Sequence, residues 1–137
     1  MKNNLYIVWT ASNDTGIPII DEQHRGIIST INTLHYFIMH KKEHEILSSI
    51  IITLEQYTNF HFITEEEIIK NINYPSFDEH LEFHKSLAVE TKKISAEVKQ
   101  ENDPEILLRF LKGWWLNHIC VEDKKYAEFM AENNMTV

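Results

Sequence analysis

The chain has 137 residues, the size of one ordinary domain. A hydrophobic fraction of 43% supplies a core and excludes a disordered chain, while three Gly and three Pro offer too few turn residues for an all-β fold. A formal net charge of -8 argues against nucleic acid and anionic membrane surfaces as partners, and a single Cys excludes an intrachain disulfide or a thiolate metal cluster.

Residues 1–20 read as an N-terminal arm. They carry Gly16, Pro18 and the polar cluster Ser12-Asn13-Asp14-Thr15, with Ile7 and Trp9 able to pack the arm across a bundle. The arm has one Lys and no long apolar run, so it does not read as a secretion signal. A reducing cytoplasm is the expected setting. No apolar run comes near the length of a membrane span. Asp21 is placed to cap a first helix running to about Lys41, whose apolar face is His24, Ile27, Ile28, Ile31, Leu34, His35 and Ile38. The polar patch 40–44 turns the chain into a second helix, about Glu43 to Lys70, with a stripe of Leu47, Ile50, Ile51, Leu54, Tyr57, Ile68 and Ile69. Pro75 separates it from a third helix over about 77–100, facing inward through His80, Leu81, His84, Leu87, Ala88, Ile94 and Val98. Asp103 followed by Pro104 signals a cap and a first helical position for the fourth helix, which ends at Asn133 and Asn134. The expected fold is all-α: an antiparallel up-down four-helix bundle, residues 21–132, preceded by the arm, in a single domain spanning 1–137.

Each helix brings an imidazole onto its apolar face. His24 lies near the start of the first helix. His61 and Glu65 lie four apart near the end of the second, so they point the same way. His80 and His84 form an i, i+4 pair near the start of the third, and His118 with Asp123 lies past the middle of the fourth. Antiparallel packing brings those levels together. A carboxylate on an apolar face costs several kcal/mol without a partner, and a metal ion satisfies it together with the imidazoles. Five imidazoles and two carboxylates exceed what one ion takes. Two octahedral ions offer about twelve positions. Five imidazoles, two bridging carboxylates and one bridging oxide or hydroxide would fill all but one. That count points to a two-iron centre with a vacant position for a small ligand. Asp123 is five residues after His118, about 140° out of alignment on a regular helix. It must reach in from the flank, or the helix must bulge there. Glu122, at i+4, is the rival, and spacing does not choose between them.

Other residues are read more plainly. His40 and His44 share the i, i+4 spacing but sit in a charged patch and read as solvated. His35 reads as a boundary residue with a hydrogen-bond partner. Glu66 and Glu67 read as facing solvent, Cys120 as a packed thiol, and Trp114 and Trp115 as packing residues.

The stretches Asp21-Glu22-Gln23-His24, His61-Phe62 with Glu65-Glu66, His80-x3-His84, and His118-Ile119 with Asp123, together with Trp9 and Trp114-Trp115, resemble the hemerythrins, in particular the single-domain bacterial ones. The resemblance spans essentially the whole chain. It implies that His80, His84 and His118 hold one iron, that His24 and His61 hold the other, open iron, and that Glu65 and Asp123 bridge the two ions with an oxide or hydroxide. It favours Asp123 over Glu122. It implies reversible dioxygen binding, as a hydroperoxide at the open iron, with no organic cofactor, in a non-enzymatic role of storage, delivery or sensing. Leu116, two before His118, matches a pocket-lining position and would act as an apolar lid that slows oxidation. Imidazole-rich ligation without a Glu-x2-His motif agrees with simple binding. The alternatives are a di-iron oxidoreductase acting on peroxide or nitric oxide, and an iron-handling protein. No protein partner is identifiable from the residues.

Overall fold

Short connections fold the helices of this chain back on one another, as their apolar stripes require. The computed structural model describes residues 5–41, 44–101 and 103–136, and the side chains of His44, Lys99 and Glu101 lie outside that description. The expectations placed on residues 1–4, on Lys42 and Glu43, on His44 as a solvated side chain and on Asn102 fall outside it too. The arm holds one 3-10 turn, Ala11–Asn13, and is otherwise non-helical up to the first helix, α1 (Pro18–Met39). Next come α2 (His44–Asn71), α3 (Phe77–Glu101) and a fourth helix, α4, continuous over 104–132. They form an antiparallel four-helix bundle, and the described residues contain no strand.

Helix α1 begins three residues before the expected start. Pro18 takes its first position, where a fixed φ suits the helix and a missing N–H leaves no bond unmade. Asp21 therefore lies inside the first turn rather than at the cap. It is buried, and its carboxylate accepts from Thr15 N at 2.8 Å, Thr15 Oγ1 at 2.7 Å and Gly16 N at 3.1 Å, so it ties the arm down. Gly16, at φ 84°, occupies the left-handed region that the turn into α1 needs. Asp103 caps α4 as expected, its side chain accepting from Glu105 N, with Pro104 first in the helix. Two helix ends close on asparagines: Asn73 (φ 55°) and Asn134 (φ 51°) turn left-handed, and the next amides, Tyr74 N and Met135 N, return to Ile69 O and Met130 O.

Helix α4 is not regular. Leu111–Trp115 and His118–Glu122 are π-helical turns, and the amide of Asp123 bonds to His118 O, five residues back.

The core has two apolar clusters. The larger includes Ile27, Ile31, Leu34, Leu54, Phe62, Leu87, Leu107, Leu111 and Trp115, and the smaller is Ile17, Ile20, Ile69, Tyr126, Ala127 and Met130. On α1, His24 falls between Ile20 of one cluster and Ile27 of the other. On α2, Glu65 falls between Phe62 and Ile69, and on α4, Asp123 falls between Ile119 and Tyr126. The polar side chains thus occupy a layer with packed hydrophobic material on both sides. Gly26 lets α2 approach α1 closely, since a β-carbon there would collide with the Tyr57 hydroxyl. The arm closes one flank: Ile7 is buried, its amide donates to Asn32 Oδ1 at 2.8 Å and its carbonyl accepts from Asn32 Nδ2 at 2.9 Å.

Candidate metal centre

Seven side chains from four helices meet in the polar layer: His24, His61, Glu65, His80, His84, His118 and Asp123, none more than 3% exposed. Their ligand-capable atoms form two overlapping groups, each with all its atoms within 4.8 Å of one another. One is Glu65, His80, His84, His118 and Asp123; the other is His24, His61, Glu65 and Asp123. The two carboxylates belong to both.

The carboxylate oxygens divide between the groups. Glu65 Oε1 faces His80, His84 (2.8 Å) and His118 (3.7 Å), while its Oε2 faces His61 (3.2 Å) and His24 (3.9 Å). Asp123 Oδ1 faces His118 (3.0 Å) and His80 (3.2 Å), and its Oδ2 faces His24 (2.7 Å) and His61 (3.9 Å). Each carboxylate therefore offers one oxygen to the three-imidazole side and one to the two-imidazole side. The imidazole atom turned inward is Nε2 in every case.

The helical irregularity explains how Asp123 arrives. A π-turn holds one more residue than an α-turn, so the turn His118–Glu122 restores the phase that a spacing of five would lose. Glu122, the rival, is half-buried and pairs with Lys125 Nζ at 3.1 Å on the outer side. Between the two ways Asp123 could enter, the bulge is the one found.

The electrostatics require cations. Two carboxylates with no accessible surface lie side by side, which alone would be severely unfavourable. Burial pushes an imidazole pKa down, but Glu65 and Asp123 more than reverse this, raising His61 and His80 to about 9 and His118 to about 10. Burial pushes the carboxylates up, and Asp123 also feels Glu65, yet the facing imidazoles hold both well below the ordinary range. The layer is built to hold positive charge. Several inward atoms also lack partners: His61 Nε2, His118 Nε2 and Asp123 Oδ1 are buried without a hydrogen bond. Such orphaned donors, all of ligand type and facing one another, fit divalent metal ions.

A surrounding set orients the inner residues, and the sequence reading missed most of it. Gln23 is buried and accepts from His61 Nδ1 at 2.8 Å, while its amide nitrogen donates to Thr64 Oγ1. Tyr126 donates to Glu65 Oε2 at 2.9 Å, and burial, with Glu65 and Asp123 close by, raises its pKa well above the ordinary value. Glu66, expected in solvent, is half-buried and accepts from His84 Nδ1 at 3.2 Å. Phe62 lies flat on His84, ring centroids 3.8 Å apart, and stacks on Trp115 at 5.7 Å. The signal for Tyr126 was present, three residues after Asp123 on the apolar face, whereas adjacency to His24 did not mark Gln23 as a partner. Leu116, expected as a lid, is half-buried and packs against the larger cluster; its fully buried neighbour is Trp115. His35 is half-buried, as a boundary residue should be, and stacks on Tyr6 where a hydrogen-bond partner was expected; His40 is exposed, as its reading expected. Cys120 is half-buried and accepts from Asn13 Nδ2.

The family model for the hemerythrin HHE cation-binding domain matches residues 15–130. A bacteriohemerythrin of Pseudomonas paraeruginosa (strain DSM 24068 / PA7) is 30% identical over 124 residues, covering 90% of this chain and 80% of that protein. A bacteriohemerythrin of Clostridium acetobutylicum is 26% identical over 127 residues, covering 88% of this chain and 98% of its own. Among solved structures, wild-type hemerythrin superposes with a TM-score of 0.78 at 24% identity, covering 90% of this chain and 96% of that one, a likeness of fold.

Proposed function

Since the chain belongs to the hemerythrin family, proteins of the di-iron, oxygen-binding type, we propose that it holds two iron ions and binds dioxygen reversibly, without catalysing a reaction. The observation that carries this reading is the division of the carboxylate oxygens. Glu65 and Asp123 each turn one oxygen to His80, His84 and His118 and the other to His24 and His61. That is the arrangement two bridged metal ions need, and it leaves the two-imidazole side one ligand poorer.

In this reading His80, His84 and His118 would hold one iron, His24 and His61 would hold the other, and Glu65 and Asp123 would be shared between the two, with an oxide or hydroxide completing the centre. The iron pair would supply two electrons and a vacant coordination position. The chain supplies the rest. Gln23 fixes the His61 ring, so its Nε2 stays aimed inward. Tyr126 holds Glu65 in its bridging orientation through Oε2. The apolar residues on both sides, Trp115, Phe62, Ile27 and Ile119 on one and Ile20, Ile69 and Met130 on the other, keep bulk water from the layer. Leu116, packed against the larger cluster, would serve as the apolar lid. Exclusion of water and protons is what separates reversible binding from consumption of the bound molecule. Storage, delivery and sensing all draw on that property. No helix of the described residues is long and apolar enough to cross a membrane.

The test uses anaerobically purified, reduced protein. Iron per chain is counted, air is admitted, the visible spectrum is recorded, and the air is removed. Two irons and a new absorption band that disappears on deoxygenation are expected. Direct passage to a stable oxidised spectrum, with added peroxide consumed, would favour the oxidoreductase instead. One iron or none would remove the two-ion reading.

A further inference from the structure

The outer nitrogens of the inward imidazoles do not share one environment: those of His24 and His118, one in each half of the centre, are buried without a hydrogen bond, while those of His61 and His84 have partners of different charge. His61, on the two-imidazole side, gives its Nδ1–H to the neutral amide of Gln23, which is 4% exposed. His84, on the three-imidazole side, gives its Nδ1–H to the carboxylate of Glu66. The Glu66 side chain is 29% exposed, so the charge keeps enough water to be tolerated while its Oε1 reaches the ring. Phe62 lies flat on a face of the His84 ring, at 9° between planes, and restricts its rotation.

We propose that Glu66 is a positioning residue that makes His84 a stronger, more electron-donating ligand, and so gives the three-imidazole half a higher metal affinity and a lower reduction potential than the other half. The inference rests on the metal reading above. Two physical links support it. A charged acceptor on the far nitrogen polarises the Nδ1–H bond and raises the basicity of Nε2. A negative charge one imidazole away also favours the more highly charged oxidation state of the ion, an effect that a neutral amide does not supply. The half served by Glu66 is therefore the first to fill with metal and the first to be oxidised.

The test compares the wild-type chain with Glu66→Gln, Glu66→Asp and Glu67→Gln. Glu67→Gln removes the same charge from the next, exposed position and serves as the control for net charge. Zinc, which has no redox chemistry, is titrated against a chromophoric chelator, and the midpoint potentials of the iron-loaded proteins are measured with mediators. Glu66→Gln is expected to weaken the tighter zinc site by about 10-fold or more and to raise the lower midpoint potential. Glu67→Gln is expected to leave both near wild type, with Glu66→Asp between. Retention of two metal ions with unchanged affinity and potential in Glu66→Gln would overturn the inference and leave the metal reading standing. Equal shifts in Glu66→Gln and Glu67→Gln would overturn it too, since they would reduce the effect to surface charge. A wild-type chain that binds neither zinc nor iron would overturn both readings.

Discussion

His61 tests the ligand set most sharply, because its half of the centre has one imidazole fewer. Replacing it with Ala leaves His24 as the sole imidazole there, with the shared carboxylates. His61→Ala is expected to lower iron content from two per chain to about one while the three-imidazole half stays filled. Metal analysis of the purified variant decides this, and two retained ions would remove His61 from the set. Leu116 answers a different question, since it belongs to the apolar surroundings and not to the ligands. Leu116→Ala should keep both irons and speed oxidation of the oxygenated protein, because truncating a half-buried leucine admits water. The rate at which the oxygenated spectrum decays measures it, and an unchanged rate would assign Leu116 to packing alone. At this scale the legible residues were those whose spacing aligned them with an apolar stripe: His61 with Glu65, and His80 with His84. Gln23 and Glu66 were not legible as partners. Their roles depend on which rotamer reaches across to a neighbouring helix, and that is set by packing, not by position along one helix.

At the scale of elements, the fourth helix is the one whose shape matters most. Without its π-turn, a spacing of five would carry Asp123 away from His118. Deleting Val121, an exposed residue inside that turn, is expected to return the segment to α-helical winding and to shorten the spacing from His118 to Asp123 to four, which a regular helix aligns. Asp123 and Tyr126 would then stay at the centre together. The expected result is a chain with near-wild-type helical circular dichroism and its iron retained; loss of iron would show that the wide turn itself is needed, and not only the phase it restores. The sequence told only that either a bulge or a flanking approach was needed. A π-turn and an α-turn differ by one residue and a few weak bonds, and no residue type in His118–Glu122 enforces one over the other. The start of α1 was misread for a comparable reason. Asp21 carries a strong capping signature, yet Pro18 supplies a preset φ three residues earlier, and the Asp21 carboxylate serves Thr15 and Gly16 instead.

At the scale of the whole molecule, the bundle is two apolar clusters separated by a charged layer. Such a layer contributes to stability when it is filled and detracts from it when it is not. Anything that binds the folded chain alone stabilises it by mass action, by about 4 kcal/mol when the free ligand is at a thousand times its dissociation constant. The chelated protein is therefore expected to unfold at a lower temperature than the metal-loaded one, and returning iron should restore the difference. A thermal melt followed by circular dichroism measures it, and coincident melts with and without metal would count against the layer as a cation site. The fold class was legible because periodicity, caps and prolines agreed along the chain. The height at which the seven polar side chains meet was also legible, because short connections force antiparallel neighbours.

The two wide turns in α4 carry a further consequence, for motion. Leu111–Trp115 and His118–Glu122 bracket a short stretch of ordinary winding, and His118 and Asp123 are anchored at the second of them. Wide turns have poorer hydrogen-bond geometry than the α-turns around them. Their amides are expected to exchange with deuterium sooner than equally deep amides of α1, such as those of Ile27 and Ile31. The centre then has one compliant wall and three stiff ones. A small winding or unwinding of α4 would then move His118 and Asp123 against the inward side chains of the other helices, while those helices hold still.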